Sequence, residues 1–264
     1  MRNLLAALTA SIAFLAAPPS KAAISWGTDL SDLWVTAGEA GWGANVAHQG
    51  EVLFVTLFIY GADARMRWYS ATLFSKGGTS EFTFEGDLYE TTGPYFGSPV
   101  FNPATVTYRK VGTATLTSTG ISRATLKYDV DNVPVTKSIE RSLFRYNNLA
   151  GSYIGATNGT ASGCTSGNGK FEDWATFTVT HSATNAVSIA ATFSGGGTCT
   201  HAGTYSQSGR MGEIAGTTSC SNGARATFSA YEIEASHYGL SLRYTADYGN
   251  GCAEAGRFTG LLRE

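Results

Sequence analysis

The chain has 264 residues, of which only 14% are charged, and its formal net charge at pH 7 is −2. Because it contains no run of basic residues, and because affinity for phosphate backbones comes from clustered Lys and Arg, we expect no nucleic-acid partner. The 32 glycines, with abundant Thr and Ser, are typical of many short β-strands joined by tight turns.

Residues 1–22 follow the pattern of a secretory signal peptide. Arg2 gives a positive start, residues 4–17 form an apolar stretch, and small residues at the end predict cleavage after Ala22. A membrane anchor is the alternative, but this stretch is shorter than the roughly 20 residues that a transmembrane helix needs. We therefore expect a secreted or periplasmic protein, with no membrane insertion after signal cleavage.

Residues 23–146 are predicted to form a first all-β module. One of its runs, Val52–Tyr60, is apolar at eight of nine positions, so we expect both of its faces to be covered, the outer one by the neighbouring module or by a partner. A helix is the alternative for this run, but β-branched and aromatic residues favour a strand. The predicted strands are Gly43–His48, Val52–Tyr60, Met66–Phe74, Glu81–Tyr89, Thr105–Leu116, Ala124–Val130 and Val135–Leu143.

Residues 150–264 are predicted to form a second all-β module, separated from the first by a polar turn at residues 146–150. Apolar residues alternate with polar or small ones along it, most clearly over Tyr238–Tyr248. About eight strands fit, and their connections are too short for crossover helices. The predicted fold class is therefore all-β, with two antiparallel meander modules in tandem, each closed as a barrel or folded as a sandwich.

All four cysteines, Cys164, Cys199, Cys220 and Cys252, lie in the second module. An oxidising compartment predicts two disulfides, with three possible pairings. The segment Ser208–Met211 is typical of a two-residue hairpin with glycine first, and that register places Cys199 opposite Cys220 in a non-hydrogen-bonded pair. Cys164 and Cys252 then remain for each other. Zinc is the alternative, but the spacings lack the paired form of structural zinc sites, so we expect no metal and no cofactor.

Motifs for catalysis are absent from the sequence: there is no Gly-x-Ser-x-Gly, no His-Glu-x-x-His, no phosphate loop and no dinucleotide-binding glycine motif. We therefore predict no catalytic residues. Catalysis by paired carboxylates needs only two acids across a cleft, so a secreted hydrolase with a non-contiguous active site is an alternative. The acids available for it in the first module are Glu39, Glu51, Glu85, Asp87 and Glu90.

The segment 39–50 is the best candidate for a binding site. It places Trp42 between two glycines and follows it with neutral hydrogen-bonding side chains, a combination that suits polar neutral ligands such as sugars. The predicted ligand-binding residues are Trp42, Asn45, His48, Gln49, Trp68 and Tyr69. The alternative is structural: Trp42 closes the end of a barrel, the polar groups cap a turn, and the strand aromatics belong to the core.

These motifs carry a resemblance. Gly41-Trp42-Gly43, Asn45 and His48-Gln49-Gly50, with further matches over residues 32–144, resemble a group of uncharacterised secreted bacterial β modules. The second half resembles a cysteine-bearing module found beside them, marked by Gly151–Tyr153 and by the motif that begins at Gly209. The resemblance implies an exported, non-catalytic protein, sometimes appended to secreted enzymes. In architecture alone, the second half is also similar to small ligand-binding barrels of the lipocalin and avidin kind.

The sequence therefore predicts a secreted, non-enzymatic protein that binds a small molecule, glycan or protein partner through its first module. The secreted hydrolase is one alternative. An inhibitor or assembly protein is another, because the apolar strand at Val52–Tyr60 offers a surface for a second protein.

Overall fold

The computed structural model describes residues 28–76 and 82–263, which form two closed antiparallel meander barrels of eight strands each. This confirms the all-β prediction and selects barrels over sandwiches. The predicted signal peptide, residues 1–22, lies outside the described residues. Within the described ranges, no helix has the length and apolar composition that crossing a membrane requires.

The first barrel runs from Asp32 to Arg141, and its neighbouring strands are also neighbours in sequence. A short 3₁₀ helix, Pro103–Thr105, capped by the side chain of Asn102, delays the start of the sixth strand to Thr107. The strands are β1 (Asp32–Val35), β2 (Gly43–Gln49), β3 (Val52–Tyr60), β4 (Met66–Ser75), β5 (Thr83–Thr92), β6 (Thr107–Ser118), β7 (Arg123–Val130) and β8 (Val133–Arg141).

The second barrel runs from Gly151 to Leu262, and β9 and β16 close it. In the β12–β13 hairpin Tyr205 faces Ile214, as the predicted register requires. The strands are β9 (Gly151–Ser162), β10 (Gly169–His181), β11 (Ala186–Phe193), β12 (Thr198–Ser208), β13 (Met211–Cys220), β14 (Arg225–Ala235), β15 (Gly239–Gly249) and β16 (Cys252–Leu262).

Strand β3 shows how the barrel wall divides side chains between its two faces. Leu53, Val55 and Leu57 point inward and are fully buried, because successive side chains of a strand lie on opposite faces. On the outer face, Phe54 and Tyr60 are about half exposed. Among the described residues the second barrel therefore does not cover Phe54, so that part of the expectation is wrong, and cover of this outer face by a partner stays a prediction.

Different interactions close the two barrels. In the first, β1 meets β8 over only two register pairs, Trp34 with Arg141 and Val35 with Glu140. In the second, β9 and β16 pair along their length from Ser162–Ala253 to Tyr153–Leu262. The disulfide between Cys164 and Cys252 lies just beyond the first of these pairs and covalently joins the loop that follows β9 to the first residue of β16.

The β12–β13 hairpin of the second barrel contacts the start of the first. The Arg210 backbone N–H donates to Asp32 Oδ2 over 3.2 Å, and Arg210 Nε donates to the Ser31 carbonyl over 3.0 Å. The same guanidinium pairs with Asp29 over 2.5 Å and with Glu234 over 2.6 Å. Arg210 therefore holds the two barrels together through backbone and side chain alike.

Candidate functional site

A cavity of about 690 Å³ opens at the end of the second barrel that lies away from the hairpin contact with the first. Its volume falls within the about 300–1,000 Å³ that small-molecule sites commonly have. The walls come from strands on all sides of the barrel and from the loops that follow β9, β11 and β13. The aromatic residues that line it are Phe171, Phe177, Phe193, Phe228, Tyr244, Tyr248 and Phe258.

Small inward residues leave this space open. Gly159, Ala161, Ala226 and Ala246 occupy inward positions near the open end, and Ala246 lines the cavity directly. A Cβ at Gly159 would lie 2.5 Å from the Ala255 carbonyl oxygen and 2.7 Å from Cζ of Phe171, so this position requires glycine both for the approach of β16 and for the aromatic ring.

Large side chains fill the opposite end of the second barrel and the whole centre of the first. An eight-stranded barrel is just wide enough either to be filled by side chains or to hold one small ligand. The buried residues that close the inner end of the second barrel include Leu149, Tyr153, Tyr205, Ile214, Ile233 and Leu240. Those that fill the first include Trp34, Leu53, Leu57, Leu73, Leu88, Leu116 and Leu126. The cavity therefore results from an uneven distribution of side-chain volume along the second barrel.

Both disulfides lie at the mouth of this cavity. Cys199–Cys220 joins facing positions of β12 and β13, and Cys164–Cys252 joins the β9–β10 loop to β16, which are the pairs that the sequence predicted. Asn168 fixes the same loop further, since its side chain accepts from the Cys164 N–H over 2.8 Å and donates to the Cys164 carbonyl over 2.6 Å. The rim is thus constrained on two sides.

His201 is a neutral polar group in the cavity wall. Its Nδ1 lies 2.7 Å from Thr218 Oγ1, and its ring packs on Phe228 with centroids 4.7 Å apart. Burial lowers the pKa of His201 to about 4, so the imidazole carries no charge near pH 7. In the described part of the chain Nε2 has no hydrogen-bond partner, so this atom can serve a ligand.

Tyr244 offers a second hydrogen-bonding group. The Thr157 hydroxyl donates to the Arg257 carbonyl over 3.2 Å, so its oxygen is free to accept from the Tyr244 hydroxyl 3.1 Å away. Burial raises the pKa of Tyr244 to about 12, which keeps the phenol protonated. The Tyr244 oxygen retains lone pairs that can accept from a ligand.

Two carboxylates lie near the mouth. Burial raises the pKa of Glu254, although a hydrogen bond of 3.1 Å from the Tyr248 hydroxyl acts in the opposite direction. Asp173 points inward opposite Thr157 and accepts from the Ser194 hydroxyl over 2.6 Å. Of the residues that the structure describes, those that line the cavity include no Lys or Arg. Among the described residues, no group of three or more His, Cys, Asp and Glu side chains is arranged to hold a metal ion.

Three of the six ligand-binding residues predicted from the sequence lie inside the first barrel. Trp42 is buried and donates from Nε1 to the Tyr128 hydroxyl over 3.2 Å. His48 accepts at Nδ1 from the Leu30 N–H over 3.1 Å, so its Nε2 carries the proton and donates to the Gly50 carbonyl over 2.8 Å. The side chain of Tyr69 is also buried in this core.

The other three lie outside the same wall. Asn45 and Gln49 are exposed on β2, and Trp68 on β4 is 53% exposed beside Phe58 of β3. The predicted set is therefore divided by the sheet, because alternate residues of β2 and β4 point to opposite faces. Asn45 and Trp68 share one outer face with the exposed Phe54 and Phe74.

Sequence reasoning placed no binding site in the second barrel. The alternation along Tyr238–Tyr248 predicts inward aromatic residues on β15, but nothing in one strand shows that its neighbours contribute glycine and alanine at the same level. The usable signal was the combination of Gly159, Ala161 and Ala246 with acidic Glu254 on an inward position, which becomes visible only once β9, β15 and β16 are aligned.

No protein-family model matches the chain, and no curated protein matches it. A solved structure of a DUF3598 family protein of unknown function from Nostoc punctiforme is similar to it, with a TM-score of 0.24 and 9% sequence identity. That similarity covers 89% of this chain and 96% of the other. Since the function of that protein is unknown, the similarity transfers no activity.

Proposed function

We propose that this chain is a secreted or periplasmic, non-enzymatic binding protein whose second barrel takes up one small, largely apolar molecule. The observation that carries the proposal is the cavity of about 690 Å³ at the open end of that barrel. Membership of the secreted bacterial tandem β-module group, suggested by the motifs at Trp42 and Gly209, is part of the same proposal.

The chemistry of the wall supports this function. Ligand sites are mostly apolar and contain a few placed polar groups that fix the orientation of the ligand. Here, aromatic rings form most of the wall, and His201, Tyr244 and Tyr248 supply isolated hydrogen-bonding atoms. The two disulfides at the rim favour a mouth that is already formed before the ligand arrives, which lowers the ordering cost of binding.

A neutral fluorescent dye, N-phenyl-1-naphthylamine, tests the proposal. We expect saturable binding of one dye per chain with a rise in emission, because the dye leaves water for an aromatic cavity. Ala246→Phe fills space at an inward position of β15 and should weaken binding by at least about tenfold. Thr245→Phe adds the same ring at the adjacent, exposed position and serves as the control.

Far-ultraviolet circular dichroism verifies that both variants are folded. Equal dye affinity in folded Ala246→Phe and in the wild type would place the dye elsewhere and contradict the proposal. Absence of stoichiometric binding by the wild-type chain to this dye and to a panel of neutral aromatic compounds would do the same.

A second candidate is glycan binding on the outer face of the first barrel. Phe54 is 50% exposed, Trp68 is 53% exposed and Phe74 is 58% exposed on β3 and β4. A shallow groove beside Phe54 and Phe74 also offers the hydroxyls of Ser70 and Thr72. Aromatic faces next to hydroxyl and amide groups suit neutral sugars. Loss of glycan-array signal in Trp68→Ala, but not in the control Trp174→Ala on the outside of the second barrel, would support it.

A further inference from the structure

The charge of the cavity wall in the second barrel is entirely acidic. Glu172, Asp173 and Glu254 line it, and within residues 28–76 and 82–263 no Lys or Arg does. The imidazole of His201, which also lines the cavity, is neutral near pH 7 because burial lowers its pKa to about 4. A molecule that enters the barrel therefore meets a negative potential and no basic side chain.

Two of these acids, Asp173 and Glu254, flank the same strand. Asp173 on β10 faces Thr157 of β9, and Glu254 on β16 faces Ala161 of β9. Both are inward positions near the mouth, one to each side of β9. Both residues line the cavity, so both carboxylates are part of its wall.

Neither inward carboxylate has a cation in the described part of the chain. Each accepts one neutral hydrogen bond, Asp173 from Ser194 and Glu254 from Tyr248, and neither takes part in an ion pair. Burial disfavours the charged form of the Glu254 carboxylate and raises its pKa. Ten acids of the chain have basic partners, whereas six other described acids, Glu172 of the cavity wall among them, share the absence of an ion pair: the ten are Asp29, Asp32, Glu39, Asp63, Glu85, Asp87, Glu90, Asp131, Glu232 and Glu234.

Aromatic rings surround the space next to these carboxylates. Tyr248 and Phe171 lie at the same end of the cavity, with Phe177, Phe228 and Phe258 deeper in the barrel. Organic ammonium groups are attracted to aromatic faces and to carboxylates, and both attractions increase where water is displaced. The deeper rings suit an apolar or aromatic body.

Resting on the proposed function of the second barrel, we infer that its ligand is a small organic cation: an aromatic or compact apolar body that carries an amine. The body lies among the deeper phenylalanines. The ammonium group lies at the mouth between Asp173 and Glu254. It supplies the cationic partner that these two carboxylates lack within the described part of the chain. Fatty acids and other organic anions are disfavoured by the same carboxylates.

A matched naphthalene series tests the charge preference on the full chain. Isothermal titration calorimetry near neutral pH compares 1-naphthylmethylamine, which is cationic, with neutral 1-naphthylmethanol and anionic 1-naphthoate. We expect the amine to bind at least about tenfold more tightly than the alcohol, and the carboxylate to bind most weakly. In Glu254→Gln and in Asp173→Asn, the ratio of amine to alcohol affinity should fall, and in the double variant it should approach one. Glu213→Gln, an exposed acid on β13, is the control and should keep the wild-type ratio.

The outcomes separate this inference from the function on which it rests. Equal affinity for the amine and the alcohol, or preference for the carboxylate, would overturn the cation inference while leaving small-molecule binding in place. A wild-type preference for the amine that survives the folded double variant would also overturn it, because the named carboxylates would not be its cause. Absence of binding by all three compounds, together with absence of dye binding, would overturn the proposed function and the inference together.

Discussion

Arg141 Nη1 donates to Asp32 Oδ2 over 3.0 Å, which joins the last strand of the first barrel to its first strand. The side chain of Arg141 is fully buried, and its guanidinium lies 4.7 Å from the Trp34 ring centroid. The same Asp32 oxygen accepts from the backbone of Arg210 in the second barrel. One carboxylate therefore serves both the closure of the first barrel and the contact between barrels.

Replacing Arg141 by methionine should destabilise the first barrel by about 3–5 kcal/mol, because removal of one member of a buried pair leaves the other charge uncompensated. Arg141 also donates to the carbonyls of Ile121 and Ser31, so the loss extends beyond the ion pair. Urea unfolding measures the change. The matched control is Arg109→Met, which removes exposed pairs with Glu90 and Asp131 and should change stability far less than Arg141→Met. Equal losses in the two variants would contradict the closing role of Arg141.

Gly209→Ala should separate the hairpin of the second barrel from the first barrel. Gly209 has a φ of +56°, and a Cβ there would lie 2.3 Å from Asp32 Oδ2 and 2.7 Å from the Arg141 Cβ. Gly223 has a φ of +87°, and a Cβ added there would have no other atom within 4 Å, so Gly223→Ala carries the backbone cost alone. We expect Gly209→Ala to lose at least about 1 kcal/mol more than Gly223→Ala in urea unfolding.

Limited proteolysis of the connecting residues 142–150 gives a second measurement of the same contact. Gly209→Ala should speed cleavage there, because Gln207 next to the hairpin holds this segment through the Asn147 N–H and the Arg145 carbonyl. Unchanged cleavage in Gly209→Ala, or a stability equal to that of Gly223→Ala, would show that the hairpin tolerates the added methyl group.

The two disulfides should contribute unequally to stability. Cys164–Cys252 spans 88 residues and Cys199–Cys220 spans 21, so the chain-entropy model assigns them about 4.5 and about 3 kcal/mol respectively. Double replacement by serine, one bridge at a time, followed by urea unfolding measures this order. We also expect the Cys164–Cys252 variant to bind N-phenyl-1-naphthylamine more weakly, because that bridge fixes the mouth at the seam of β9 and β16. A reversed order of stability would mean that residual structure in the unfolded chain, and not loop length, determines the contributions.

Much of this architecture could be predicted from the sequence because it depends on local patterns. The alternation along Tyr238–Tyr248 and the glycine-first turn at Ser208–Met211 are properties of single segments, and together they indicated the strands and the Cys199–Cys220 register. Strand β1 was missed because four residues carry almost no periodicity, and its place depends on Arg141, more than a hundred residues away. The cavity was missed because its volume depends on which side chains face one another across β9, β15 and β16.

Because of His201, the free energy of unfolding should fall as the pH decreases from about 6.5 to about 4. Burial depresses the pKa of this imidazole from 6.5 to about 4 in the folded chain, so between these values the unfolded chain binds a proton that the folded chain does not. Proton binding then favours unfolding, and the contribution reaches about 3 kcal/mol at the acid end of the window. Above pH 6.5 both states are neutral at this side chain, and the effect is absent.

Comparison with the variant His201→Gln separates the contribution of His201 from that of the carboxyl groups in the cavity. Burial raises the pKa of Glu254, so that side chain has the opposite slope: its folded form gains stability relative to the unfolded chain as the pH falls toward its ordinary pKa. Both proteins retain Glu254, so the difference between them in unfolding free energy, followed by urea titration from about pH 7 to about pH 4, reports His201 alone. We expect the wild type to lose stability relative to His201→Gln across the window. A constant difference would show that the imidazole is solvated enough to protonate in the folded barrel, and the neutral hydrogen-bonding role assigned to Nε2 in the cavity would then be wrong at acid pH.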